Sequence, residues 1–160
     1  MKKITFIFIS MLYISVVCTF AQSVKNFKTD FKAKGDGKTD DSEAWQNALN
    51  YFNKEKKGTL HIPEGIYRIG TQVIDTNSTN KVHYASPKYT NTLANVNGLT
   101  IQGVVKNGKI VSIFKYVDNL KYGYFNPSDE KPTQNIGNDA QAYVGAFLAL
   151  AWSCNNITIK

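Results

Sequence analysis

Residues 24–51 read VKNFKTDFKAKGDGKTDDSEAWQNALNY, and residues 58–70 follow with GTLHIPEGIYRIG. The opening Val24 to Phe27 predicts a short strand, and the glycines of Lys34 to Gly37 predict a tight turn because glycine adopts backbone angles that other residues avoid. The segments TLHI and IYRI predict two further strands on either side of the turn at 63–65.

A helix is predicted between these strands. Asp40 precedes Glu43 by three positions, a capping-box spacing in which the Asp side chain accepts helix amides and Glu43 reaches back. Gly58 then marks the helix end. The apolar residues recur at positions i, i+3, i+4 and i+7, so the helix lies with one face on a hydrophobic surface. These residues are Trp45, Ala48, Leu49 and Phe52.

Together these segments resemble the N-terminal part of the pectate-lyase-like superfamily, which includes polygalacturonase-like and rhamnogalacturonase-like proteins and some phage tailspikes. The resemblance implies an all-β fold, a right-handed single-stranded parallel β-helix (solenoid), whose open end is capped by the first strand and the amphipathic helix. It indicates the fold more strongly than the activity. Its structural signature falls on Ala33, Gly35, Asp36, Gly37, Thr39, Asp40 and Asp41.

A short repeat agrees with a solenoid. The unit N-x-(L/I)-T-I occurs at 97–101 and again at 155–159, and a strand with a polar corner is what stacked coils repeat. Two copies could also arise by chance in a chain rich in Asn and Thr. Residues 99–105 and 109–114 predict further strands around the turn Asn107-Gly108.

Asp40 and Asp41 permit two interpretations. Paired carboxylates suggest general acid and base chemistry, but that chemistry needs the two groups on opposite sides of the scissile bond. Neighbours at a helix start do not have that geometry, so a structural role is the favoured interpretation.

Two polar stretches, 75–95 and 118–141, are predicted as loops that project from the coils. Tyr122 and Tyr124 in the second are candidate glycan-contact residues, since loops often line binding grooves and tyrosine rings stack on sugars. The alternative, which we favour, is that these rings pack the loop onto the body of the protein.

Residues 1–21 are predicted to be a signal peptide, with Lys2 and Lys3, an apolar segment and the cleavage pattern Thr19-Phe20-Ala21. The mature chain, residues 22–160, would then be secreted or periplasmic, without a stable membrane span. A lipoprotein anchored at Cys18 is the less favoured alternative, because Val17 is bulky for such a site.

The charge, the single arginine and the cysteine count limit which partners and cross-links are expected. Loss of Lys2 and Lys3 with the signal peptide lowers the formal charge from +7 to +5, and Arg68 is the only arginine. One arginine is little for bidentate phosphate recognition, so a nucleic-acid partner is not expected. After cleavage only Cys154 remains, which excludes an internal disulfide and suggests a buried apolar role.

No metal or cofactor site is expected, because His61 and His83 are far apart in sequence and His61 is predicted to pack in its strand. Calcium becomes an expectation only if the full-length protein is a lyase. In polygalacturonase-like relatives the catalytic residues come from later coils, so we assign no catalytic residue here.

The sequence ends in a strand pattern with no terminal cap, and we therefore expect an incomplete β-helix domain that is inactive by itself. The parent is expected to be a secreted glycoside hydrolase or polysaccharide lyase acting on pectin-like or other acidic polysaccharide. The alternative is a non-catalytic glycan-binding or structural β-helix, such as an adhesin or a tailspike-like fibre. Carboxylates converging on one face of the coil would distinguish the enzyme from the binder.

Overall fold

The computed structural model describes residues 22–74, 83–126, 129, 131–134 and 140–160. The predicted signal peptide and Cys18 lie outside these residues. The described chain is mostly β-structure with two helices.

Helix α1 spans Phe27–Phe31 and helix α2 spans Ser42–Glu55. The first six strands are β1 Val24–Asn26, β2 Asp36–Asp40, β3 Gly58–His61, β4 Gly65–Ile69, β5 Gln72–Ile74 and β6 His83–Pro87. Those that follow are β7 Thr92–Ala94, β8 Leu99–Gln102, β9 Val105–Lys106, β10 Lys109–Ile110 and β11 Ser112–Tyr116. The last five are β12 Gly123–Asn126, β13 Lys131–Thr133, β14 Ala140–Ala142, β15 Ala149–Ala151 and β16 Thr158–Ile159.

Three groups of parallel strands form the body. One sheet has the order β1-β3-β8-β16, a second β11-β4-β2, and a third pairs β15 with β7. Strands β3, β4 and β7 each pair with a strand of the next passage of the chain, namely β8, β11 and β15. Each sheet therefore receives its next strand only after the chain has passed through the other sheets.

The predicted repeat unit lies in this first sheet. Thr100 pairs with Thr158 and Ile101 with Ile159, and Asn97 bridges Asn155 in the same register. The two copies of N-x-(L/I)-T-I therefore stack directly on one another. The antiparallel hairpin of β9 and β10 also forms as predicted, with both turn residues at positive φ.

A separate mixed sheet, which we call the side sheet, has the order β13-β12-β14-β6-β5. Only β14 and β6 run parallel in it. Strands β6, β12, β13 and β14 come almost entirely from the two stretches predicted as projecting loops, whereas β5 precedes the first of them. The prediction of loops was therefore wrong for the strand-forming parts of those stretches. Residues 75–82 lie outside the described chain.

The main core lies between α2 and the parallel sheets, and α2 contributes its predicted stripe: Trp45, Ala48, Leu49 and Phe52 are all fully buried. Aromatic rings dominate this core. The ring centroid of Trp45 lies 5.0 Å from that of Phe147, in a stacked arrangement, and 5.0 Å from that of Phe114. The Nε1–H of Trp45 donates to the carbonyl of Phe147 at 2.8 Å, so the indole is satisfied as well as buried.

The first strand is shorter than predicted. It ends at Asn26, and Phe27 begins the unpredicted helix α1. The side-chain oxygen of Asn26 accepts the N–H groups of Lys28 at 2.9 Å and Thr29 at 3.2 Å. An Asn side chain at this position satisfies the free amides of a helix start, which explains the early turn.

The start and end of α2 also differ from the prediction. The N-cap residue is Asp41 rather than Asp40, and in the described chain Glu43 accepts no hydrogen bond, so the capping box does not form. At the other end Lys56, not Gly58, takes the left-handed conformation and donates its N–H to the carbonyl of Phe52 at 2.8 Å. Gly58 instead begins β3.

Candidate functional site

The glycine-rich signature is closed by a buried carboxylate. Asp41 accepts the backbone N–H of Lys34 at 2.6 Å and that of Gly35 at 3.0 Å, and its side chain is almost entirely inaccessible to solvent. Both oxygens are used, so Asp41 ties the residues before β2 to the start of α2.

Asp36 organises the same segment from the outside. It accepts the N–H groups of Lys38 at 2.8 Å and Thr39 at 2.7 Å, and the hydroxyl of Thr39 at 2.8 Å. These hydrogen bonds favour the charged form and lower the pKa of Asp36 to about 2. The segment forms an irregular strand, since two steps along β4 match four along β2. It was predicted only as a turn.

Asp40 points to a third set of donors. It accepts the N–H of Ser42 at 2.9 Å, the hydroxyl of Ser42 at 2.5 Å and the hydroxyl of Thr71. Partial burial alone would raise the pKa of Asp40, but these hydrogen bonds outweigh it, and the pKa is lowered. The Ser42 oxygen in turn accepts the N–H of Gly70 at 2.9 Å, which joins the helix start to the end of β4.

Asp40 and Asp41 therefore face different partners, although they are neighbours in sequence. A pair of carboxylates acting on one bond needs room for a sugar between them. Here both oxygens of Asp41 bind backbone amides, and Asp40 is bound by two hydroxyls and an amide. Both residues also line one open pocket with Lys34, but their carboxylate oxygens are engaged by the protein's own donors, so the arrangement organises the backbone.

Gly35 packs against an aromatic ring. A Cβ atom built there would lie 2.6 Å from Cε1 of Tyr67, and its φ is +60°. Burial, followed by the nearby Asp41, raises the pKa of Tyr67 to about 12, and its hydroxyl donates to the carbonyl of Pro63 at 2.8 Å. Glycine is therefore required at position 35 by contact as well as by conformation.

The only arginine lies at the edge of this region. Arg68 pairs in the strand register with Asp40, and its side chain contacts Asp118 at 2.5 Å. It also donates to the carbonyl of Tyr116 at 3.4 Å. Arg68 thus connects β4 with the segment that follows β11, and no local pattern in the sequence indicated this ion pair.

The two candidate glycan-contact tyrosines occupy the side sheet. Tyr122 precedes β12 and is 79% exposed, whereas Tyr124, within β12, is half-buried. Strand alternation places Phe125 on the opposite face from Tyr124, where it packs with Ala85 and Ala142. The ring of Tyr122 is therefore presented to solvent, and that of Tyr124 only in part.

Trp152 is an exposed aromatic residue that sequence reasoning missed. It follows β15 directly and is 75% exposed, with its backbone at a φ of +41°. The residues just before it, 146–151, read AFLALA and are typical of an apolar strand. The Trp-Ser pair between two strand patterns was the available signal.

His61 and Cys154 have separate surroundings, and the side chain of His83 lies outside the described part of the structure. His61 lies half-buried in β3 between Asn26 and Gln102, and the thiol of Cys154 contacts the carbonyls of Leu93 at 3.4 Å and Ala151 at 3.3 Å. Within the described ranges, no three His, Cys, Asp or Glu residues come together in a way that could hold a metal ion.

No helix in the described part of the chain is both long enough and apolar enough to cross a bilayer.

Comparison with known proteins identifies the family. Residues 24–112, more than half of the chain, match the family described as rhamnogalacturonase A/epimerase, pectate lyase-like. The protein therefore belongs to this family, which confirms the resemblance based on the glycine signature and the strands around it.

A shorter match extends to a curated protein. Over 40 residues the chain is 52% identical to Alginate lyase 7 of Azotobacter vinelandii. This covers 25% of the chain and 5% of the length of that relative. No solved structure matches the chain.

Proposed function

We propose that this chain forms the first coils of a right-handed parallel β-helix in a carbohydrate-active protein that acts on acidic polysaccharide. The observation that carries the proposal is the register of the parallel sheets. Strands β3 and β8 stack in parallel, as do β4 with β11 and β7 with β15, so the chain returns to the same three sheets on each passage. Helix α2 covers the core beside these sheets.

The stacked repeat supports a coil of this kind. The side chain of Asn156 donates to the Asn97 side-chain oxygen at 2.8 Å, and the N–H of Gly98 donates to the carbonyl of Asn155 at 3.1 Å. The polar corners therefore bind one another between coils, while Leu60 and Ile101 stay buried. Repetition of such a corner is what a solenoid requires.

The signature residues are proposed to be structural. Gly35, Asp36, Gly37, Thr39, Asp40 and Asp41 take part in the hydrogen bonds, or adopt the backbone angles, that close the first coil. Since their carboxylates are already bound to the protein's own donors, we propose that catalytic groups lie elsewhere in the parent protein. The 160-residue chain by itself is then expected to be inactive.

The proposed substrate class rests on family and charge. The family is named for enzymes of pectin-type polysaccharides, and the matched relative is named as an alginate lyase. The chain without residues 1–21 has a formal charge of +5, which favours an anionic polymer over a neutral one. Pectin-like and alginate-like uronates are therefore the first candidates.

Activity is tested by incubating the purified chain and the full-length gene product with polygalacturonate and with alginate. A lyase forms an unsaturated uronate, seen by ultraviolet absorbance, whereas a hydrolase forms new reducing ends without that absorbance. We expect turnover by the full-length product only. Turnover by the 160-residue chain would contradict the proposed location of the catalytic groups, and absence of both binding and turnover in the full-length product would contradict the proposed function.

A second candidate function is glycan binding without catalysis. The solvent-exposed ring of Tyr122 favours it, because an exposed aromatic ring stacks readily on a sugar. In a full-length product that binds polyuronate, Tyr122→Ala and Tyr124→Ala should each weaken binding if these rings contact glycan. Unchanged affinity in both would leave these tyrosines as packing residues.

We further propose that the protein is exported and cleaved after Ala21. N-terminal sequencing of secreted material should begin at Gln22, whereas lipid-modified protein beginning at Cys18 would support the anchored alternative. A calcium requirement is proposed only for a lyase, and removal of calcium by a chelator would then abolish turnover of the full-length product.

A further inference from the structure

We propose a glycan-contact site at the turn between β15 and β16, formed by Trp152, Ser153, Asn95 and Lys56, which binds acidic oligosaccharide. We call these four residues the Trp152 corner. The ligand class rests on the proposed function, whereas the site itself rests on the geometry below. It is distinct from the side sheet that carries Tyr122.

The Trp152 corner arises from an extra residue. Ala94 pairs with Ala151, and Asn97 bridges Asn155, so two residues in the earlier coil match three in the later one. The backbone remains attached on the inner side, where the N–H of Asn95 donates to the carbonyl of Trp152 at 3.1 Å. The extra residue pushes the indole out of the coil.

The position is unfavourable for folding alone. Trp152 and Ser153 both have positive φ, at +41° and +31°, and bulky residues rarely adopt such angles. The indole is also 75% exposed, and Asn95 is exposed at the same corner of the preceding passage although β15 pairs with β7 there, so the corner faces outward. In the preceding coil the same corner is occupied by Asn95, a residue type that tolerates this conformation. A strained and exposed aromatic residue points to a binding role.

The neighbouring groups are polar and positively charged. The Nζ of Lys56 donates to the carbonyl of Ala94 at 3.3 Å, which holds this cation one coil below Trp152. Lys54 and Lys56 are exposed, and Glu55 is the acidic residue between them. Within the described residues, neither the side-chain amide of Asn95 nor the hydroxyl of Ser153 has a hydrogen-bond partner.

These features fit an acidic sugar. An exposed indole stacks on the apolar face of a pyranose ring, an ammonium group attracts a uronate carboxylate, and the amide and hydroxyl can bind sugar hydroxyls. A neutral glycan would use the ring without the cation. The combination therefore favours a uronate oligosaccharide.

The two tryptophans make the site measurable. Trp45 is fully buried and Trp152 exposed, so acrylamide quenches the fluorescence of Trp152 preferentially and Trp45 is an internal reference. We expect hexamers of galacturonate or mannuronate to protect the quenchable fraction, and neutral cellohexaose to protect it less. Equal protection by the neutral hexamer would overturn the assignment of an acidic ligand.

Variants separate this site from the side sheet. By calorimetry, Trp152→Ala should weaken hexauronate binding by about fivefold to tenfold, a typical effect of losing one aromatic stacking contact. Trp152→Phe should retain most of the affinity. Lys56→Asn removes the charge while suiting the left-handed backbone, and it should weaken binding mainly at low salt. Circular dichroism of each variant verifies folding.

Tyr122→Ala tests the competing site on the side sheet, since it also removes an exposed ring. Full affinity in Trp152→Ala together with a loss in Tyr122→Ala would overturn this inference and leave the proposed function intact. Absence of uronate binding by the unaltered chain and by the full-length product would contradict both.

Discussion

The body of parallel sheets and the side sheet are held together very differently. The body surrounds a continuous core that includes Phe27, Trp45, Tyr67 and Phe52, all fully buried. Among the side chains that the structure describes, the side sheet buries a small cluster of Ala85, Phe125 and Ala142. Because burial of apolar area is the main stabilising term, the body is expected to provide most of the stability.

The two regions also differ in how their polar and aromatic side chains are used. In the body, glycine and aspartate residues are fixed by contacts within the protein, whereas the side sheet presents Tyr122 to solvent. A stable scaffold with less stable surface additions tolerates change at the additions. Seven substitutions in four comparisons test how these regions are held together, beginning with the largest expected effect.

Trp45→Ala should be the most damaging change. It removes a fully buried ring and the hydrogen bond to Phe147, and we expect a loss of about 4 kcal/mol in the free energy of unfolding. Phe125→Ala in the side sheet should cost about 2 kcal/mol, because its smaller cluster can collapse more easily. Urea denaturation of both variants measures the difference. Equal losses would break the contrast between the two regions.

Gly35→Ala should cost about 3 kcal/mol, since the new Cβ meets the Tyr67 ring and the backbone is at positive φ. Gly108→Ala is the control, with a φ of +73° and nothing within 4 Å. It should cost about 1 kcal/mol, from backbone strain alone. A similar loss in both would show that the Tyr67 contact contributes nothing.

Asp41→Asn should lower the free energy of unfolding by about 2 kcal/mol, because the buried side chain loses its charge and one of two partly buried amides loses its acceptor. Glu43→Gln, two residues along the chain and exposed, should change it by less than about 0.5 kcal/mol. Thermal denaturation of the pair gives the comparison. A neutral Asp41→Asn would mean that the turn does not depend on this carboxylate.

Asp36 predicts a small pH effect. Its pKa is lowered from 3.8 to about 2 in the folded state by hydrogen bonds from Thr39 and Lys38. Its contribution is therefore present above the unfolded pKa and is lost as the pH falls through the folded value. Denaturation midpoints from about pH 5 to about pH 2 should fall more steeply for the unaltered protein than for Asp36→Asn. Parallel curves would rule out this contribution.

Local patterns in the sequence predicted the elements that depend on near neighbours. The stripe of α2, the strands around Pro63 and the Asn107-Gly108 hairpin all formed. The predictions of element boundaries were wrong where a side chain forms a hydrogen bond with the backbone. Asn26 started a helix within a predicted strand, and Asp41 bound the glycine turn while Asp40 bound Ser42 and Thr71.

The side sheet was not predictable because its pairing joins distant segments. Strand β12 pairs with β14, and β14 with β6, and none of these short polar segments has an alternating pattern strong enough to indicate a strand. Likewise, the segment that contains Trp152 has one residue more than the segment paired with it in the preceding passage of the chain. This extra residue is visible only once Ala94 is known to pair with Ala151 and Asn97 with Asn155.

The sequence by itself determined the family, the amphipathic helix and the repeated strand unit, because glycine conformation and apolar spacing act between residues that are close along the chain. The tertiary structure alone decided which carboxylate closes which turn, that Arg68 pairs with Asp118, and which aromatic rings face solvent. Asp41 binds amides only six and seven residues away, but Asp40 binds the hydroxyl of Thr71, and Arg68 and Asp118 are far apart along the chain. The geometry of these contacts is set only when the parallel strands pair.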